Sequence, residues 1–549
     1  MSPFITDLDR CLKCGFCMGP CPTYAESGLE TDAARGRLNL IQQRYAPVPA
    51  PFSGLFEASP EPIDGPARRQ YFEALFACLE CGACVAACPA GVPVTEVISA
   101  ARADWQRLFG LPWVKRIAIQ GVLGHPTVLR VGARLGALGQ GLIMRSIGSA
   151  SDSTAAAAPA AADADTPAAA NIDASDSTAA DAPAPTDIEA SASADADASA
   201  VASAAPPVWA AASAPRSAAN SVATGGGVQP TEPGAQQPRF PLPWVGRRVF
   251  PKLAKRSLIA QLAREKKPVH PQQRVAFFPG CLISQAYTDV GIALHHILAE
   301  NQVEMVTPAK WSCCGMPAQV HGAWVQARRQ VLHNLQIMED LQKAGMERIL
   351  TACGSCGAQL RHHATALFRN EPEIRARLEQ AAARVRDASE YLVDELHVQA
   401  GPYRLARPAT VTYHDPCHLA RSQGVRRQPR ELLQRIPGVT FVEMAEADRC
   451  CGGAGIYFLE HPQLSDRIRQ RKVDHFRESG AQLLSTACPA CMMQLEDGLV
   501  QGKTGGQAVH LLELLDDSYR PPHAQRRYRA VKTQLAHLHT HSHSDQATE

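Results

Sequence analysis

Residues 11–22 read CLKCGFCMGPCP and residues 78–89 read CLECGACVAACP, two copies of the pattern C-x2-C-x2-C-x3-C-P. The short spacings let one tight loop wrap three corners of an iron–sulfur cube. The fourth Cys lies too far along to reach the same cube, and in two-cluster ferredoxins it serves the other. Cys11, Cys14, Cys17 and Cys88 are therefore expected to hold one [4Fe–4S] cluster, and Cys78, Cys81, Cys84 and Cys21 the second. Gly15 and Gly82 let the backbone pass close to the sulfides. Soft thiolates select iron–sulfur or zinc. Zinc's four-ligand sites usually present paired C-x2-C units rather than two octets closed by Pro22 and Pro89, so iron–sulfur is the expectation.

The other ten cysteines fall into two related halves. Each half opens with a β-branched or aromatic run ending in Cys, RVAFFPGC at 274–281 and TVTYHDPC at 410–417. A helical stretch, a short strand (303–307; 439–444) and a Cys-Cys-Gly follow. A second helix and a strand then run into C-x2-C. Strands alternating with helices predict a parallel sheet covered by helices, with ligands at the carboxyl ends of the strands. The repeated order is an internal duplication. Cys281, Cys313, Cys314, Cys353 and Cys356 would converge in the first half, and Cys417, Cys450, Cys451, Cys488 and Cys491 in the second. Five thiols exceed the need of one zinc or one cubane, and adjacent thiolates on one loop suit a further, multi-iron centre with shared ligands; structural zinc or a metal-free redox thiol group are the alternatives. The four groups use all 18 cysteines.

Composition supplies the intervening organisation. Residues 151–230 hold 32 Ala among Ser, Asp, Pro and Thr, with ten acidic residues against Arg216 alone. Lacking an apolar stripe, residues 149–238 read as a disordered acidic linker, a tether between cluster regions. The whole chain of 549 residues carries +2, so the rest carries +11, which suits an anionic partner or membrane surface. The expected fold class is multidomain: an α-helical dicluster ferredoxin domain (1–104), an amphipathic helical segment (105–148), the linker, a basic approach (239–271), two α/β Cys-Cys-Gly domains (272–400 and 408–516) and a disordered His-rich tail (517–549). No basic region followed by an apolar one opens the chain, and Arg130, Arg134 and Arg145 interrupt its most apolar stretch. Secreted disulfide scaffold and multi-span transporter are set aside, and a cytoplasmic location is expected, peripheral to the inner membrane if the segments bearing Trp105, Trp113 and Trp244 lie on its surface.

Among other residues, His414, Asp415 and His418 flank Cys417, and His321 follows the first Cys-Cys-Gly. They could tune a metal site by hydrogen bonds, but the favoured reading is Asp415 as a helix cap and the histidines as packed or solvated. Arg35 and Arg37 could face a cluster or form surface ion pairs. No nucleotide-binding glycine motif follows a strand and no Ser/His/Asp set stands out, so no catalytic residue is assigned and any flavin sits on another chain.

The octet with its continuation (CLKCGFCMGPCPTY, 11–24; RGRLNLIQQR, 35–44) and two runs of the second half (TYHDPCHLARSQGVRRQPRELLQRIPG, 412–438; CCGGAGIYFLEHP, 450–462) resemble the iron–sulfur subunit of glycolate oxidase. The resemblance covers about 1–148 and 272–516. It implies an electron-transfer subunit without a substrate site of its own. Its partner would be an FAD-containing dehydrogenase of glycolate, or D-lactate, with a quinone or quinone-linked acceptor; no nucleic-acid partner is expected. The family is similar also to iron–sulfur subunits of heterodisulfide reductase and anaerobic glycerol-3-phosphate dehydrogenase. In the heterodisulfide reductases such domains hold non-cubane clusters that cleave disulfides. The closing C-x2-C is often incomplete in glycolate oxidase subunits, whereas Cys353/Cys356 and Cys488/Cys491 are intact here, which keeps a thiol–disulfide role open.

Overall fold

A computed structural model describes residues 5–45, 65–125, 127–137 and 248–525. The expected acidic linker, Trp244 and the tail beyond 525 lie outside the described residues. All described residues belong to one unit, Met1–Ser151 with Pro241–Glu549.

The Cys-rich N-terminal part is helical. Ala34–Tyr45, Gly65–Phe76 and Val94–Phe109 pack around Leu38, Ile41, Tyr71, Leu75, Val97, Ile98 and Trp105. Trp105 is a core residue, ringed by Tyr71, Phe72 and Phe109, and not a membrane anchor. The last helix runs straight through position 104 because its apolar face, Val94 to Trp105, is continuous.

The remainder forms two parallel sheets. β1 (Gln273–Phe278), β2 (Val303–Val306), β3 (Ile349–Thr351) and β4 (Val385–Asp387) stand in the order β2-β1-β3-β4. β5 (Ala409–Tyr413), β6 (Val439–Phe441), β7 (Leu483–Thr486) and β8 (Gln507–His510) repeat it as β6-β5-β7-β8. Register matches too: Val275 faces Met305 in the first sheet, and Val411 faces Phe441 in the second. Helices such as Thr288–Glu300, Trp324–Lys343, Pro462–Glu478 and Pro489–Gln501 cover the sheets, so the central strands are buried on consecutive residues rather than alternately. β4 and β8 escaped the sequence reading because three- and four-residue edge strands, VRD and QAVH, carry no apolar run.

The C-terminal boundary needs correction. A disordered tail from 517 is contradicted by Asp517 and Ser518, which are buried in the helix Leu511–Ser518. Gln525 then donates to the carbonyls of Asp517, Arg520 and Arg404 and accepts from the Ala406 amide, tying this end to the inter-half connection. Polar residues filling backbone-bonding roles mimic a solvated tail in composition.

Arg102, buried within the N-terminal helix 94–109, joins the two parts. It pairs with Glu80 at 2.8 Å and donates to the carbonyls of Leu75, Cys78 and, across the boundary, Val320. Arg369 meets Asp7 and Glu96, and Trp324 Nε1 donates to Ser99. Arg102→Ala strips a buried pair of one partner, an expected loss of about 3–5 kcal/mol visible as a lower urea midpoint. Asp387, the buried cap of the helix Ala388–Glu390, is pushed up to about 7 by burial. A raised carboxyl contributes stability below its unfolded value that is lost as pH rises through 7. Asp387→Asn keeps the cap, and its stability relative to wild type is expected to increase between pH 5 and pH 8.

Candidate metal centres

Each octet builds its loop with the same backbone. Lys13 and Glu80 have positive φ (54° and 50°), followed by Gly15 and Gly82 at 84° and 72°. A left-handed non-glycine residue costs about 1 kcal/mol, so the shared strain reflects a shape that turning three thiols inward requires. Cys11, Cys14, Cys17 and Cys88 line one small cavity with Arg35 and Leu38. Cys21, Cys78, Cys81 and Cys84 line a second with Thr23, Arg37 and Ile98. Three thiols from one octet thus meet the fourth of the other in both cavities. Sets of four soft donors around a small, water-poor space fit a [4Fe–4S] cube.

The ten remaining thiols form one row. Cys281 neighbours Cys313, which neighbours Cys314; Cys314 neighbours Cys356, and Cys356 neighbours Cys353. In the second half Cys417 neighbours Cys450, Cys450 neighbours Cys451, Cys451 neighbours Cys491 and Cys491 neighbours Cys488. Each set of five therefore converges. The halves abut through Cys353 and Cys488, whose sulfurs are 3.9 Å apart. At its other end the row reaches the dicluster domain, where Cys81, Leu79 and Ala83 pack against Cys450, Tyr457 and Ile468, with Cys417 alongside. Tyr457 donates to the Ala77 carbonyl at 3.0 Å and His418 Nε2 lies 3.1 Å from the Glu80 carbonyl.

Local structure explains the convergence. Cys353 and Cys488 cap the helices Gly354–Arg361 and Pro489–Gln501, and the i, i+3 spacing sets Cys356 and Cys491 one turn on, at the amide-rich ends. Helix N-termini favour thiolates. Gly280, with φ of 61°, is required before Cys281 because a Cβ would stand 2.7 Å from the Cys356 sulfur. Burial pushes the Cys81 thiol up to about 12 and raises Cys78 and Cys84. Cys314, Cys450 and Cys488, each flanked by two neighbouring thiols that favour its charged form, are held below the usual thiol range. The other seven of the row are raised, and buried thiols in sets of five, most of them hard to ionise unaided, suit a multi-iron centre whose positive charge would hold them as thiolates.

The flanking residues divide. Asp415 does not cap a helix; both its oxygens take Arg430, at 2.8 and 3.0 Å, because Pro416 starts the next helix without it. His418 bridges Ser355 and Glu80. His321 lies away from the row, near Lys115 and Glu460. His414 is fully buried, and burial pushes its ring down to about 3. One ring nitrogen of His414 and the sulfurs of Cys451 and Cys491 lie within 4.8 Å of one another. Arg35 pairs with Glu30 at the surface, whereas Arg37 is buried, 3.6 Å from Asp32 and bonded to the Ala74 carbonyl. Two residues escaped sequence reading: Arg421, beside Cys81, Cys417 and Cys450, and Lys472, buried and pushed down to about 8 by burial. Neither has a ligand spacing to mark it, and only the fold brings them to the thiols.

Comparison with known proteins agrees with this architecture. The 4Fe–4S dicluster domain family matches residues 7–92, and the cysteine-rich (CCG) domain family matches 275–361 and 411–496. The probable glycolate oxidase iron–sulfur subunit of Bacillus subtilis is 26% identical over 520 residues, 93% of each chain. Lactate utilization protein A of an Exiguobacterium species is 30% identical over 246 residues, 45% of this chain and 98% of that protein. A subunit of the fumarate reductase (CoM/CoB) of Methanothermobacter marburgensis is 33% identical over 252 residues, and the match spans 46% of this chain and only 47% of that protein. With its dicluster domain, its two Cys-Cys-Gly domains and these relatives, the chain belongs to the glycolate oxidase iron–sulfur subunit and lactate utilization protein A family.

Proposed function

We propose that this chain carries electrons from a partner FAD-containing dehydrogenase of a 2-hydroxy acid, glycolate in the first place, towards a quinone or quinone-linked acceptor. The observation that carries the reading is the unbroken row of thiols from Cys78 and Cys81 through Cys450 and Cys488 to Cys281. Iron–sulfur groups held there supply one-electron carriers when bound. The chain's own part is to space the ligands, exclude water and set the local charge through Arg37, Arg421 and Lys472. The sequence carries no nucleotide-binding glycine motif after a strand, and a separate flavoprotein is part of this reading. No helix among the described residues is long and apolar enough to cross a membrane. Exposed Trp113, Ile117, Val131 and Leu135, beside Arg130 and Arg134, support peripheral contact with an anionic bilayer.

Cys81→Ser tests the conduit. In the reconstituted complex, acceptor reduction is expected to fall at least 100-fold while substrate still reduces the flavin; unchanged turnover would sink the reading.

A second reading is thiol–disulfide reduction at the Cys-Cys-Gly domains, favoured by both complete sets of five thiols and by the relative named as part of a CoM/CoB fumarate reductase. There a bound disulfide would take two electrons from the row and two protons from solvent and leave as two thiols. Given an artificial one-electron donor, the isolated chain would then reduce small disulfides, and a chain with its full iron content that fails to do so excludes this reading.

A further inference from the structure

The two halves are duplicates in topology but not at their metal-facing positions. β1 ends in Phe278, three residues before Cys281; the corresponding residue of the second half, three before Cys417, is His414. Phe278 is satisfied by packing, edge-on against Trp311 with ring centroids 5.0 Å apart. His414 has no such partner. It is fully buried, and neither Nδ1 nor Nε2 makes a well-formed hydrogen bond, the Ala447 carbonyl being the one backbone acceptor near the ring. Buried polar atoms are ordinarily paired, so an imidazole this poorly met calls for something it can bind. The groups it faces are Cys451 and Cys491, with one ring nitrogen and the two sulfurs mutually within 4.8 Å. That separation spans ligand atoms sharing one metal ion, since Fe–N and Fe–S bonds each run to about 2.0–2.3 Å as for zinc.

The surroundings fix the ring where it stands. Its backbone amide donates to the Ser485 carbonyl at 2.9 Å, and the next residue, Asp415, is clamped by Arg430. Lys472 is held beside Cys450 and Cys451 by the carbonyls of Glu446 and Ala447. In the first half Phe278 stands by Cys356, both within 4 Å of a Cβ placed on Gly280. A phenyl ring thus occupies in the first half the place that an imidazole takes in the second.

We propose that His414 is a metal ligand, completing with Cys451 and Cys491 a mixed imidazole–thiolate corner of the second-half centre, whereas the first-half centre is held by thiolates alone. The inference rests on the reading that the Cys-Cys-Gly halves hold iron. One consequence is that the two centres differ in potential, because the second has an imidazole donor beside its five thiols where the first has only Phe278.

The test compares the full-length chain, purified anaerobically with 15N-labelled histidine, with its His414→Phe variant. The substituted phenylalanine is the residue the first half already accommodates. Iron per chain and pulsed electron–nuclear resonance of the reduced protein are measured on both. Iron clearly above the eight that two cubanes need, with a strong directly bound histidine nitrogen coupling that is lost in the variant while the cubane signals persist, is the expected result. Absence of that coupling in wild type, a coupling only of the weak kind seen across a hydrogen bond, or its persistence in the variant overturns the assignment. Iron near eight with zinc in the chain means the iron reading of the halves has failed by itself. The ligand is then read in the zinc X-ray absorption spectrum, where imidazole scattering lost in the variant upholds His414 and its absence overturns it. No metal beyond the cubanes overturns both.

Discussion

The contact on which the architecture turns is that between the carboxyl ends of β3 and β7, where Cys353 and Cys488 bring their sulfurs to 3.9 Å. Each sheet alone delivers five thiols to its own strand ends. Joined tip to tip, the sheets make one row of ten, eight of them buried and the end members Cys281 and Cys417 half-buried. The joint is close-packed: the Gly354 amide donates to the Ala487 carbonyl, His510 Nε2 meets the Ala352 carbonyl at 3.1 Å, and Gln423 donates to the Gly354 carbonyl. A Cβ on Gly354 would press on Leu419 and Pro416. Small residues at this joint let two helix N-termini face one another, an arrangement that concentrates amide donors around the sulfurs.

Burial of so many thiols as thiolates is costly without positive charge, and the chain supplies that charge sparingly. Arg37 lies by the second octet site, Arg421 between it and Cys417, and Lys472 beyond, beside Cys450 and Cys451. No comparable buried cation faces the first-half thiols among the described residues. Positive charge is therefore spread unevenly along the row, and nearby charge with hydrogen bonds to sulfur would set the potential of any iron–sulfur group held there.

The dicluster domain is docked by polar groups that its own fold could not satisfy. Arg102 completes its set of acceptors only with the Val320 carbonyl of the first half, and Tyr457 of the second half donates to Ala77 just ahead of Cys78. Because an unmet buried donor is more costly than a met one is helpful, such contacts hold the Cys81 loop against Cys450 in one orientation. The distance an electron would cross is thereby set by hydrogen bonding rather than by apolar contact alone.

The two octets, the duplicated halves and the sorting of 18 cysteines into four groups were legible in the sequence because ligand spacing within a loop or one helical turn is local. The exchange of Cys21 and Cys88 between octets was legible for the same reason: a three-residue step outruns one cube. Composition misled where polar residues do backbone work, as at Asp517 and Gln525, and the edge strands β4 and β8 were too short to carry a pattern. The fusion of two five-thiol sets into one row, the buried Arg102, Arg421 and Lys472, and the orphaned ring of His414 were decided only by tertiary structure. Each depends on residues far apart in the chain, 135 positions for Cys353 and Cys488, whose meeting is fixed by how two sheets pack and not by any spacing between them.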